Sequence, residues 1–493
     1  MTLAELPVLL ALGVVGVTSV ALLVYGLNLL YLSWLSLRLT YRAPRLVAEG
    51  EEPEVTVQLP IYNERYVAER VIDAAAGIEW PATRLLVQVL DDSDDDTVGI
   101  IGARVAEWQA RGIRMEHVRR PVRTGYKAGA LAHGTNLTSA PFLAVFDSDF
   151  VPPADFLRRT IGAFADPQVG FVQARWGHLN ETYSWLTRLQ SLTIDFHFLV
   201  EQPVRSRGGY FTNFTGTAGV WRRKAITAAG GWSAATLTED LDLSYRAQLA
   251  GWRSFYVEDL VVPQELPVAA NAYREQQTRW ATGSFQCAWR LLGSVVRKAP
   301  RPWQAVVHLL AYAVPVLMLT QLACYPVLLY ARIGRDPIVD FVQLPLAINL
   351  ISLAPSIAFT VAQVRRGRRW WHGVPSLLCQ IVGAGMSLTI WRALLRSMRP
   401  GGEFKRTPKY RIEHSGQAWL DAAYRAPLDP LWLLELTFGA GGLVVGAAAA
   451  FNGEYLMAAY AAVIATGFIY VAGASFLQAM ESLIVGRRDE RTA

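Results

Sequence analysis

The sequence predicts an α/β domain set into an α-helical transmembrane bundle, and three observations predict it. The 493 residues are 52% hydrophobic with a positive mean hydropathy of +0.22, high for a soluble chain of that length. Long uncharged runs stand toward both ends, whereas residues 53–295 carry charges throughout and hold only apolar runs too short to span a bilayer. Within that middle stretch strand-like and helix-like patterns alternate, the rhythm of a parallel sheet with helices on both faces.

The first apolar run, PVLLALGVVGVTSVALLVYGLNLLYLSWLS at 7–36, has no charge and is long enough to cross a bilayer. It is too long for a cleaved signal peptide and has no basic stretch ahead of it. Arg38, Arg42 and Arg45 follow, which places the next segment in the cytoplasm. Apolar runs return at about 304–330, 341–363, 375–397, 429–450 and 455–483. The run 375–397 is flanked by RRGRR at 365–369 and by the basic stretch 392–413. Both flanks are expected inside, so this run is expected to lie along the membrane surface or to re-enter. The other four runs and the first then make five crossings, with the N-terminus outside and the tail GRRDERTA in the cytoplasm. The expected plan is one transmembrane helix in 1–45, a cytosolic domain in 46–300 and two transmembrane helices in 301–372. An interfacial helix and a basic loop follow in 373–428, then two transmembrane helices and a cytosolic tail in 429–493.

The net charge of +6 is mild, and no Lys/Arg run is interleaved with aromatics, so nucleic acid is not an expected partner. Such a charge fits loops facing anionic lipid. Cys287, Cys324 and Cys379 are far apart with no CxxC, and the seven histidines show no HExxH. Neither a zinc site nor a disulfide framework is suggested.

In the middle stretch, VTVQLPIYN (55–63), LLVQVLDDS (85–93), RMEHVRR (114–120) and FLAVFDSD (142–149) read as strands, separated by helical patterns at 66–77, 98–111 and 127–136. Ligands of such sheets bind at the carboxyl ends of the strands. Three of the four strands end in acidic or polar groups: Asn63 with Glu64, Asp91 with Asp92, and Asp147 with Asp149. No GxGxxG follows the first strand and no GxxxxGK[ST] occurs, so the glycine cradle of a dinucleotide or P-loop site is absent. Paired carboxylates at a buried strand end are costly unless compensated. A hard divalent cation, Mg²⁺ or Mn²⁺, shared with phosphate oxygens would compensate Asp147 and Asp149.

As a set, QLPIYNE, VQVLDDSDD, YKAGAL, FDSDF, FTGTAGVWRR, LTEDLDLSYR and QQTRW, in that order, resemble the membrane-bound processive family 2 glycosyltransferases. That group contains cellulose synthase, and the resemblance is closest to the cellulose-synthase-like mannan and glucan synthases. It implies a GT-A (nucleotide-diphospho-sugar transferase) fold, a nucleotide-sugar donor, inversion at the anomeric carbon and passage of the growing glycan through the adjacent membrane helices. Carried over, it implies that Pro60, Tyr62, Glu64, Asp91 and Asp92 surround the nucleotide. Lys127 would face the diphosphate, and Asp147, itself in contact with the nucleotide, would hold the metal together with Asp149. Asp240 of LTED matches the family's catalytic aspartate, the base an inverting transfer needs. Thr238, Glu239 and Asp240 also read as an ordinary helix cap with first-turn acids. In QQTRW, Gln276, Arg279 and Trp280 share one helical face. That face would offer a guanidinium to the departing pyrophosphate and an indole to the acceptor sugar. Glu239, Gly216 and Thr217 would lie beside the acceptor, the glycines of FTGTAG allowing close backbone approach. FKRTPK at 404–409 resembles the gating loop that closes over the donor, bringing Thr407 and Lys409 to the nucleotide.

The expected function is therefore processive transfer of a hexose from UDP-glucose or GDP-mannose to a β-linked glycan acceptor. The polymer would be exported through the inner (plasma) membrane, with room for export partners. A transferase that glycosylates a membrane lipid once is the nearer alternative. A transporter whose soluble domain senses nucleotide is the more distant one. With no soluble domain after the last run, control by a cyclic dinucleotide through such a domain is not expected.

Overall fold

The computed structural model describes residues 6–334, 347–414, 416–417, 419 and 428–492. Seven strands form one sheet: β1 (Val55–Ile61), β2 (Leu85–Asp91), β3 (Met115–Arg119), β4 (Phe142–Val145), β5 (Val169–His178), β6 (Gly219–Arg222) and β7 (Arg253–Gln264). Their order is β3-β2-β1-β4-β6-β5-β7. The four strands read from the sequence are there and mutually parallel. The sheet as a whole is mixed rather than parallel, because β6 runs against both β4 and β5.

The near-continuous apolar runs of β1, β2 and β4 follow from helices covering both faces of the sheet. Side chains alternate between the two cores, as the period of two requires. Val57, Leu59, Val87, Val89 and Ala144 pack with Val71 and Ile72 of the helix Ala68–Ala76. Leu90, Leu143 and Val145 face the other way, onto Leu131 of the helix Tyr126–Asn136 and onto Trp221. Each such aliphatic side chain contributes about 1.5–3 kcal/mol by leaving water.

Register sets the position of the site. Ile61 pairs with Asp91, and Gln58 with Val145, so β1, β2 and β4 end close together. The loops that leave them, 62–64, 92–96 and 146–150, share one rim.

Outside the sheet, the helices Leu6–Ser36, Ala313–Ile333, Leu431–Phe451 and Tyr455–Met480 are long and apolar enough to cross a membrane. The apolar run at 304–330 is divided between Pro302–Leu309 and Ala313–Ile333. The run at 341–363 starts outside the described residues, and its described part is a short 3-10 turn followed by the helix Ala354–Arg365. The run at 375–397 is two helices, Ser376–Gly385 and Ser387–Ser397, bent by 49° at Met386.

The helix Ala270–Lys298, which carries QQTRW, ties the two parts together. Its Arg274 makes a bidentate pair with Glu435 (2.9 and 2.8 Å) and donates to the Ser475 hydroxyl (2.9 Å). Arg274 and Glu435 are both buried.

Candidate active site

After β1 the chain turns through Asn63, whose positive φ of 53° is a conformation asparagine tolerates better than most residues. Its amide donates to Asp94 (2.7 Å) and its carbonyl oxygen accepts the Asp94 N–H (3.0 Å), clamping the first rim loop to the second. Pro60, Tyr62 and Glu64 line the cavity that opens there. Arg123 lies over the Tyr62 ring, 3.3 Å from its centroid, and over Tyr126 at 4.8 Å.

The two aspartates after β2 part company. Asp92 lines the cavity, bound by both nitrogens of an Arg120 fork. Asp91 does not line it. Its carboxylate turns into the fold, accepting the Ser93 N–H (2.8 Å) and contacting His117 Nε2 of β3 (2.8 Å). Burial works to raise the Asp91 pKa, but the bonds from His117 and Ser93 prevail and hold it below the usual value.

After β4, Asp147 and Asp149 both face the cavity. Thr217 sits behind them rather than in it: fully buried, it accepts the Asp147 N–H on its hydroxyl (2.8 Å). Lys127, at the start of a helix, pairs with Asp147, donates to the Gly216 carbonyl (3.0 Å) and stands 3.7 Å from Glu239. Burial opposes its charge, yet Asp147 and Glu239 outweigh that and keep its pKa above the ordinary value.

Gly216 explains itself by geometry. Its φ is +81°, and a Cβ there would come within 3.0 Å of an Asp240 oxygen and 3.3 Å of Lys127 Nζ. Only a residue without a side chain lets the backbone pass between them. Asp240 is thus at the centre of the site. Burial first, and then neighbouring Glu239, push its pKa up to about 7 against the opposing pull of Lys127. Thr238 makes no side-chain cap bond to the helix Glu239–Leu249, so LTED owes nothing here to a threonine cap.

Gln276, Arg279 and Trp280 line the same cavity from one face of the long helix. The fit of that helix on LTED is tight: a Cβ at Gly283 would meet Thr238 at 2.5 Å. Arg279 lies over the Phe404 ring at 4.5 Å, which brings QQTRW against FKRTPK. From that loop Thr407 and Lys409 reach the cavity. Lys409 pairs with Asp149 (2.7 Å) and donates to the Glu265 carbonyl. Arg406 pairs with Glu64 (2.9 Å). Burial pushes the Glu64 pKa up to about 8 despite Arg406.

Several participants escaped sequence reading. Glu265 and Arg123 are ordinary residues until the fold assembles them, and Arg406 and Phe404, though inside FKRTPK, carried no role of their own. Gln286 is the clearest case. Buried, it accepts the Leu237 N–H (2.9 Å) and donates to the carbonyls of Arg399 (2.8 Å) and Gly401 (2.7 Å). It therefore joins the LTED turn to the segment leading into FKRTPK. Its only signal was a place six residues after Trp280 on the same helix.

Asp147 and Asp149 fit a hard divalent cation. Both are carboxylates on one cavity wall, and Asp147 is raised above its ordinary pKa by burial first, with Asp149 adding to the rise against Lys127. Two like charges that disturb each other in one site are what a cation relieves. Among the described residues no cluster of three His, Cys, Asp or Glu is found. The remaining positions would be left to phosphate and water oxygens, the habit of Mg²⁺ and similar ions.

The cavity holds about 670 Å³ and continues beyond Trp280 past Tyr312, Pro315, Phe359, Val382 and Gly383, among the apolar helices.

Comparison with known proteins agrees with this geometry. Residues 53–283 match the family described as "Glycosyltransferase like family 2". The chain is 44% identical over 260 residues to glucomannan 4-beta-mannosyltransferase 2 of Arabidopsis thaliana, covering 52% of this chain and 49% of that one. It is 42% identical over 261 residues to probable glucomannan 4-beta-mannosyltransferase 9 of Oryza sativa subsp. japonica, covering 49% of this chain and 50% of that one. The chain thus spans about half the length of the curated relatives it matches. Among solved structures, the mannosyltransferase PcManGT from Pyrobaculum calidifontis in complex with GDP-Man and Mn2+ is 21% identical, with a TM-score of 0.48, over 71% of this chain and 98% of that one. That superposition is too loose to bear on the fold by itself. The mixed sheet, the rim of carboxylates and the family match converge: the chain carries a glycosyltransferase family 2 domain of GT-A architecture, flanked at both ends by apolar helices.

Proposed function

We propose that the protein is an inverting hexosyltransferase that extends a β-linked glycan from a nucleotide sugar, with mannose from GDP-mannose the first choice and glucose from UDP-glucose the second. The observation that carries the reading is Asp240. A half-buried carboxyl with a pKa near 7, between Glu239 and Lys127 and lining one cavity with Trp280, is suited to act as a base at neutral pH.

In this reading Tyr62, Asp92 and Arg123 receive the nucleoside. Lys127 and Arg279 face the diphosphate and stabilise the charge that develops as it leaves. Asp147 and Asp149 would hold Mg²⁺ or Mn²⁺, which when bound neutralises diphosphate charge. Trp280 stacks on the acceptor sugar and fixes its hydroxyl beside Asp240 Oδ2. Asp240 takes that proton as the hydroxyl attacks the anomeric carbon from the face opposite the diphosphate. Lys409, Arg406 and Phe404 close the donor side and exclude water. The mannosyltransferase names of the curated relatives favour mannose.

The continuation of the cavity among apolar helices supports processive export over a single transfer to lipid. With the domain at 46–300 cytoplasmic, five crossings, the N-terminus outside and 375–397 at the interface, the exit would lie across an inner (plasma) membrane. Export partners are left open.

The test is direct. Purified protein in lipid is given GDP-mannose or UDP-glucose with Mg²⁺ or Mn²⁺, and the product is digested with linkage-specific glycanases. Long β-mannanase-sensitive product is expected. Radiolabel recovered only in a lipid extract would favour the single-transfer alternative, and no transfer from either donor would refute the reading.

A further inference from the structure

Beyond Trp280 the cavity wall carries a histidine that the mechanism above does not use. His308 lies half-buried in the short helix Pro302–Leu309 and lines the cavity. Its Nδ1 is 2.7 Å from the Tyr245 hydroxyl, and the two rings stack with centroids 5.9 Å apart. Tyr245 is fully buried and belongs to the helix Glu239–Leu249, the one that begins with Glu239 and Asp240. Among the described residues Nε2 of His308 meets no protein donor or acceptor, and it is not one of the buried unpartnered atoms. It is therefore reached from the cavity. A polar group on an apolar helix bundle, turned to a cavity, marks a pathway for a polar solute.

Its place along the cavity follows from the long helix. Ser284 is one turn beyond Trp280 on the same face, lines the cavity, and donates to the carbonyl of Leu309, next to His308 (2.8 Å). One helical turn is about 5.4 Å, the order of one pyranose ring. Tyr312, held by Gln277 at 3.2 Å, continues the same wall.

We propose that His308, fixed by Tyr245, is a positioning residue that binds a hydroxyl of the second sugar of the acceptor, counted from the end at Asp240. The inference rests on the transferase reading above and adds to it a subsite. The same helix then carries the base at one end and the support of the acceptor grip in its middle, so seating the second sugar and aiming the base are one mechanical event. A one-sugar acceptor reaches Trp280 but not His308.

The experiment uses full-length protein in lipid with GDP-mannose, divalent cation, and either mannose or β-linked mannobiose as soluble acceptor. The wild type is expected to use the disaccharide with a lower KM than the monosaccharide. In His308→Phe the disaccharide KM should rise about fivefold to tenfold, the loss of one hydrogen bond, with the monosaccharide KM and donor KM unchanged. His308→Gln, which keeps an N–H, should recover part of the loss. Tyr245→Phe, which removes only the hydroxyl, should reproduce it more weakly. An equal loss for both acceptors, or no change in either, would overturn the subsite while leaving the transferase reading intact. A wild type that transfers from no sugar nucleotide would instead remove the transferase reading, and the subsite with it.

Discussion

At the scale of single residues, the site holds a carboxyl protonated at pH values where water would leave it ionised. Asp240 stays protonated in the folded chain up to about pH 7, whereas a free aspartate ionises near pH 4. In the role proposed for it as base it must be ionised, so the rate should climb with pH through about 7, which a pH profile of kcat checks. The same shift costs stability. The unfolded chain loses this proton from about pH 4 upward while the folded chain retains it until about 7, so the penalty grows across that window and is complete above it. Asp240→Asn carries no such penalty. It should abolish transfer while raising the unfolding midpoint at pH 8 and leaving it nearly unchanged at pH 3. Thermal unfolding at the two pH values reads this out, and a variant that is inactive and less stable at pH 8 would contradict it. What the sequence made legible here was identity. LTED, the DSD pair and QQTRW name their residues, because spacing encodes which side chains share a loop or a helix face. Orientation was not legible. Asp91 and Asp92 are adjacent, yet Asp91 turns inward, to the Ser93 N–H and to His117 on β3, 26 positions away.

At the scale of elements, the strands with near-continuous apolar runs, β1, β2 and β4, were read with their starts at 55, 85 and 142 in place, since two covered faces favour that composition. The three strands that complete the sheet were not. β6 has four residues, and β5 and β7 mix charged and aromatic residues in a way that long-range pairing, not local pattern, resolves. The basic segment RRGRR was read only as a cytoplasmic flank, yet three of its arginines bind side chains of the domain. Arg365 pairs with Glu258, Arg366 with Asp195 and Glu181 (2.8 Å each), and Arg368 with Glu181 (2.6 Å). Counting charges could not reveal partners drawn from β7, from the loop after β5 and from the helix Trp185–Phe196. Gln286 is the element-scale joint of the site, and Gln286→Ala would leave one N–H and two carbonyls without their partner. A loss of about 1–3 kcal/mol in stability is expected, with kcat falling because both LTED and the approach to FKRTPK loosen. Denaturant unfolding and steady-state kinetics on one preparation measure the two together.

At the scale of the whole molecule, one cavity runs from the carboxylate rim into the apolar helices, and glycine keeps part of it open. Gly383 lines the cavity, and a Cβ there would meet nothing within 4 Å. Gly383→Leu should therefore fill the passage without disturbing the fold. Product length should fall sharply while donor turnover to short products persists, and gel filtration of labelled glycan distinguishes this from a general loss of activity. A variant that makes chains of unchanged length would place the product's route elsewhere.

The buried Arg274–Glu435 bond has a consequence for anyone wishing to isolate the sheet domain without the apolar helices. Severing the polypeptide near residue 300 would remove Glu435 and Ser475 and leave Arg274 in water, so the helix that presents Arg279 and Trp280 would lose its anchor. Solubility gained by truncation would thus be bought with a misaligned catalyst.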